Sequence, residues 1–130
     1  MNDLTSYSSS IGRAMFHISF KVKYSHKIFE NKEVQKRCEE IFIEVAVTHK
    51  ITITEIGFDK NHVHLVADIG LLSIPQVAKL LKGTSGKLLL REFPWLKKEY
   101  FWNSGLWSPV IFFDSLGRNI EEVSDYVKSQ

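Results

Sequence analysis

Cysteine occurs once in these 130 residues, as Cys38, so no disulfide can form within the chain and the sequence fits a reducing compartment. No apolar run approaches the roughly 20 residues that cross a bilayer. Met1 to Ser10 is polar and serine-rich, without the basic start or apolar stretch of a secretory signal. These absences point to a cytoplasmic protein with no membrane partner, whose residues 1–12 form a flexible arm. A phosphate-binding P-loop is also missing. Gly83-Thr84-Ser85-Gly86-Lys87 looks like the end of one, but Leu81 stands where the first glycine must be, so no nucleotide cofactor is expected.

The net charge is only +2, but it is unevenly spread. Arg13, Lys21, Lys23 and Lys27 share a stretch with no acid, and Lys79, Lys82, Lys87, Arg91, Lys97 and Lys98 outnumber Glu92 and Glu99. Local basic surfaces of this kind suit phosphates, while lysines on a solvated helix face are also ordinary.

With 44% hydrophobic and 25% charged residues, a chain of this length makes one domain, residues 1–130, around a single core. Ala14 to Tyr24 alternates, with Phe16, Ile18, Phe20, Val22 and Tyr24 on one side and His17, Ser19, Lys21 and Lys23 on the other. That pattern predicts a strand with one buried face. Asn31 is placed to cap a helix running to about Lys50, with Val34, Cys38, Ile41, Phe42, Val45 and Ala46 as its apolar stripe. Ile51 to Phe58 reads as a strand whose apolar phase shifts, which predicts a bulge near Glu55 or Gly57. After the turn Asp59-Lys60-Asn61, His62 to Ile69 completes a hairpin.

Ile74 to Leu90 is helical in pattern, with Pro75 in its first turn. Gly83 and Gly86 imply either a break there or a close neighbour that compensates. Phe93 to Trp107 is dense in aromatics, most of them expected in the core. Trp107 to Asp114 is a strand, at an edge or kinked near Pro109. Asn119 and Glu122 open a last helix through Gln130 as a capping box. The order strand, helix, strand, strand, helix, strand, helix predicts an α+β fold, an antiparallel sheet with packed helices of the ferredoxin-like, split βαβ kind.

Within that frame His62 and His64 alternate with Val63 and Leu65, so both imidazoles project from the same face of one strand. Such a pair can hold a metal ion; the same spacing also describes two polar side chains on a solvated face. On the last helix Tyr126 and Gln130 stand four residues apart and therefore on one side.

Phe16 to Tyr24, Asn61-His-Val-His-Leu-Val66, Leu81-Lys-Gly-Thr-Ser85, Leu106-Trp-Ser-Pro109 and Glu122 to Gln130 together resemble the small single-tyrosine HUH transposases of bacterial and archaeal insertion sequences, often called TnpA. The resemblance covers nearly the whole chain in order. It implies the HUH nuclease version of the ferredoxin-like fold, with Tyr126 as nucleophile and His62, His64 and Gln130 as ligands of a divalent magnesium or manganese ion. It implies cleavage and rejoining of single-stranded DNA through a 5′-phosphotyrosine intermediate, with DNA hairpins at the element's ends as partners and a homodimer as the working form. Under this resemblance Lys79, Lys82, Lys87 and Arg91 grip DNA backbone and some of the aromatics stack bases. Asn61 departs from the family, which commonly has an acid just before the first histidine; Asp59 is the nearest carboxylate. Two other readings remain open: a domesticated relative acting on repetitive palindromic elements, and a non-catalytic ferredoxin-like nucleic-acid-binding module.

The chemistry agrees with the implied residues. Strand transfer needs a nucleophile in line with the leaving oxygen and positive charge at the non-bridging phosphate oxygens. A tyrosine, with a pKa near 10, must lose its proton during the attack.

Overall fold

The structure, a computed structural model, describes residues 14–116. The expected N-terminal arm and the expected last helix, with Tyr126 and Gln130, lie outside those residues. Four strands and two long helices follow one another as β1 (Met15–Val22), α1 (Lys32–His49), β2 (Thr52–Phe58), β3 (His62–Asp68), α2 (Ile74–Glu92) and β4 (Trp107–Ser115). A shorter helical stretch, Pro94–Leu96 continuing into a π turn at Lys97–Phe101, joins α2 to β4. The strands form one antiparallel sheet in the order β2-β3-β1-β4. That is the ferredoxin-like arrangement, in which each split βαβ crossover leaves room for one strand between its two ends.

Alternation makes the sheet two-sided. Ile18, Phe20 and Val22 of β1 and Val63, Leu65 and Ala67 of β3 are buried, as is the whole expected stripe of α1, Val34, Cys38, Ile41, Phe42, Val45 and Ala46. Burial pushes the Cys38 thiol well above its ordinary pKa, which keeps it protonated and inert. Asn31 caps α1 as expected, its Oδ1 accepting from the N–H groups of Glu33 and Val34 at 3.0 Å each. α2 starts with a reciprocal capping box: Gln76 N–H donates to Ser73 Oγ at 3.2 Å and Ser73 N–H to Gln76 Oε1 at 2.8 Å.

Gly83 and Gly86 do not break α2. Gly86 lies beneath Trp107, where an added Cβ would stand 3.5 Å from the ring, whereas Gly83 has no neighbour within 4 Å. The Ser85 hydroxyl between them donates to Leu81 O at 2.6 Å and accepts from Trp107 Nε1 at 2.9 Å. Trp107 in turn meets the rings of Phe20, Phe29 and Phe42, centring the core between helices and sheet.

The bulge in β2 falls between Ile53 and Glu55, where its pairing with β3 slips. β4 is an edge strand among the described residues, and its pairing with β1 shifts between Phe20 and Val22, opposite the segment that holds Pro109. Tyr24 departs from its expected place in the core. β1 ends at Val22, and Tyr24 sits in a left-handed turn at φ 61° with its ring 68% exposed.

Candidate active site

Directly opposed residues of neighbouring antiparallel strands project to the same side, so register decides which side chains meet on the open face of the sheet. Lys21 lies opposite His62, Ser19 opposite His64, and His17 opposite Val66 on one side and Asp114 on the other. The result is a row of three imidazoles, with ring centroids 6.3 Å apart between His62 and His64 and 5.9 Å apart between His17 and His64.

His62 is held at one ring nitrogen and faces a carboxylate at the other. Its Nδ1 lies 3.0 Å from Asn61 Oδ1, and its Nε2 lies 3.4 Å from Asp59 Oδ2. With the proton on Nδ1, the bond to Asn61 Oδ1 fixes the ring and leaves Nε2 facing the Asp59 carboxylate. The turn Asp59-Lys60-Asn61 therefore does more than join two strands. Asp59 N–H donates to His62 O at 2.9 Å, which folds the carboxylate back over the histidine.

His64 is oriented by its neighbour on β2. Gly57 is its register partner, and a Cβ built on Gly57 would lie 2.7 Å from His64 Cε1 and 2.8 Å from Nε2. The imidazole occupies the space that any side chain at position 57 would need. From sequence, Gly57 read only as a bulge candidate; the bulge lies elsewhere, and the ring is what the glycine accommodates.

Two imidazoles side by side on one strand face suit a divalent cation as part of its donor set. Among the described residues no three histidine, cysteine or acidic side chains come together as a metal site, so these residues fit as part of a site that needs at least one more donor.

The helix side carries the basic residues. Lys79, Lys87 and Arg91 are exposed along α2 and border shallow grooves that meet at Lys87. Lys82 is placed differently from these three, half-buried against β4. Its Nζ donates to Ser108 O at 2.7 Å and lies 5.7 Å from the Phe20 ring centroid, and burial lowers its pKa. It ties α2 to β4.

Residues 10–130 match the family model described as "Transposase IS200 like". The chain belongs to the IS200-like transposase family. It is 27% identical to the ISDra2 transposase TnpA of Deinococcus radiodurans over 117 residues, spanning 88% of this chain and 82% of that protein. It is also 27% identical, over 131 residues, to the transposase for insertion sequence element IS200 of Salmonella typhimurium, spanning 100% of this chain and 85% of that protein.

Two solved structures share the fold of this IS200-like transposase. One, from Deinococcus radiodurans, superposes with a TM-score of 0.72 at 22% identity over 94% of each chain. The other, a REP-associated tyrosine transposase bound to a REP hairpin, has a TM-score of 0.61 at 12% identity, over 98% of this chain and 68% of that one. Among the described residues of this IS200-like chain no helix is long and apolar enough to cross a membrane.

Proposed function

We propose that this chain cleaves and rejoins single-stranded DNA at the ends of an insertion sequence, through a 5′-phosphotyrosine intermediate on Tyr126. The observation that carries the reading is the pair His62 and His64, side by side on the open face of the sheet with Lys21 and Ser19 in register beside them, in a chain of the IS200-like transposase family.

In this reading the Tyr126 hydroxyl attacks the scissile phosphorus. A Tyr126 O–P bond forms, the bond from phosphorus to the 3′ oxygen breaks, the tyrosine proton leaves to solvent or a base, and the departing 3′ oxygen takes up a proton. Rejoining reverses these bonds with the 3′ hydroxyl of another end, so no nucleotide is consumed. Lys21 lies where it attracts the phosphate, and the contacts of His62 with Asn61 and Asp59 and of His64 with Gly57 hold the imidazoles in place before substrate arrives. A magnesium or manganese ion held by His62, His64 and Gln130 supplies positive charge at the non-bridging oxygens when bound.

The DNA partner in this reading is a hairpin at the element's end, gripped by Lys79, Lys87 and Arg91; a protein of the same fold has been solved with a REP hairpin. The working form is a homodimer. Val110 and Phe112, alternate residues of β4, are 50% and 56% exposed, and Phe112 stands opposite Ser19 on the open face, apolar surface of the kind a second copy covers.

The test is a denaturation-resistant protein–DNA adduct formed with single-stranded hairpin DNA and manganese. Wild type forms it, and Tyr126→Phe does not. His62→Ala abolishes the adduct while hairpin binding persists. An adduct that survives Tyr126→Phe would overturn the nucleophile, and joint loss of cleavage and binding in His62→Ala would make that histidine structural.

A further inference from the structure

Trp102 is the most exposed indole among the described residues, at 70%, and it sits in a sparsely populated backbone conformation, φ 48° and ψ −111°. The π turn before it buries Phe101 at 2% exposure, and the reversal at Trp102 throws the next ring outward. The Trp102 N–H closes the π turn on Lys97 O, and a residue in such a conformation is common where a side chain is presented to a ligand.

Trp102 borders an open groove of about 370 Å³ at the C-terminal end of α2, together with Lys87, Arg91, Lys97, Asn103 and Ser104. None of the described residues lining the groove is acidic. Glu92, next to Arg91 in sequence, is turned away into a bidentate pair with Arg37, at 2.7 and 3.1 Å, and Glu99, three residues before Trp102, is not among the residues that line the groove. Three cations therefore face an exposed aromatic ring across a space in the range of small-ligand sites, roughly 300 to 1,000 Å³. α2 covers the sheet face opposite the histidines, so this groove is separate from the His62 and His64 row.

We infer that this groove is a binding site for one unpaired nucleotide of a DNA strand. The base stacks on the Trp102 indole, the Asn103 amide meets its polar edge, and Lys87, Arg91 and Lys97 hold the flanking phosphates. An acidic peptide would satisfy the cations and leave the indole in water, whereas a nucleotide engages both with one ligand. Stacking accepts any base, so the site reads whether a strand is paired more than which base it carries. A fully paired duplex cannot offer a free base face to the indole. The inference rests on the DNA-binding part of the function proposed above and does not depend on Tyr126.

The experiment measures binding of the full chain without metal, so strand cleavage does not enter. The probes are a short mixed-sequence single strand, the same strand annealed to its complement, and the same strand built with abasic sites. Trp102→Ala is expected to weaken single-strand binding about tenfold, the loss of one stacked base. It should leave duplex and abasic-strand binding within about twofold, and Trp102→Phe should retain most of the single-strand affinity. Equal losses on single strand and duplex, no loss on either, or wild-type binding of the abasic strand as tight as of the normal one would each overturn the site. Tyr126→Phe serves as the control, since failure of the transposase chemistry leaves this result intact.

Discussion

Gly57 of β2 and His64 of β3 face each other in register, and the imidazole lies within 2.8 Å of where a Gly57 side chain would begin. Position 57 therefore governs the aim of His64 without touching a substrate. Gly57→Ala is expected to swing the ring off its seat, and Gly57→Val to do so further. Displacing a neighbour that aims a ligand typically costs about 10- to 100-fold in metal affinity. A manganese titration followed by electron paramagnetic resonance reads this directly. Unchanged affinity in both variants would show that His64 finds its orientation without the glycine.

Lys82 and its neighbours on α2 should separate cleanly. Lys82→Ala removes the bond to Ser108 O and is expected to lower stability by about 1–2 kcal/mol. Lys79→Ala, Lys87→Ala and Arg91→Ala, at exposed positions, should each change stability by less than about 0.5 kcal/mol while weakening DNA binding and flattening its salt dependence. Urea unfolding beside salt-dependent binding tells the two kinds apart. A Lys82→Ala protein of full stability with weakened DNA binding would reverse the assignment.

Ser85 is the one buried polar residue among those described, and it serves both its own helix and the indole of Trp107. Ser85→Ala strands the Trp107 N–H and is expected to cost about 1–3 kcal/mol by urea unfolding. A cost under about 0.5 kcal/mol would mean that water reaches the indole.

Gly83→Ala tests the other glycine of the pair. With no neighbour within 4 Å, the new methyl meets nothing. Better helix propensity should then raise stability by up to about 1 kcal/mol. A rise in thermal midpoint confirms it, and a fall would reveal a contact at this surface.

The Arg37 and Glu92 pair, joining α1 to α2, carries a pH signature. The hydrogen bonds from Arg37 hold the Glu92 carboxyl below the usual glutamate range, so the folded state binds fewer protons there than the unfolded chain. The stabilisation is present above the unfolded pKa and is lost as pH falls through the folded one. Glu92→Gln should lower the thermal midpoint slightly at neutral pH, and the difference should close in acid. Because the pair is partly exposed to solvent, added salt should shrink it too. A difference that persisted in strong acid would point to packing instead of charge.

Local pattern determined much of this protein. Period-two alternation placed His62 and His64 on the polar face of a strand, period-3.6 spacing marked the buried stripe of α1, and Asn31 capped it, because each signal acts over a few residues along one element. The ordered motifs were enough for the family resemblance that the family match bears out. What depends on two elements meeting was decided only in the tertiary structure. Gly57 beneath His64 and Ser19 beside it follow from strand register, the inward turn of Lys82 from the packing of α2 on β4, and the outward turn of Trp102 from a left-handed residue after a π turn. None of these leaves a periodic signal within one element, since register and packing join residues of different elements, seven positions apart for Gly57 and His64 and 45 for Ser19 and His64, and the turn at Trp102 is an irregular backbone step.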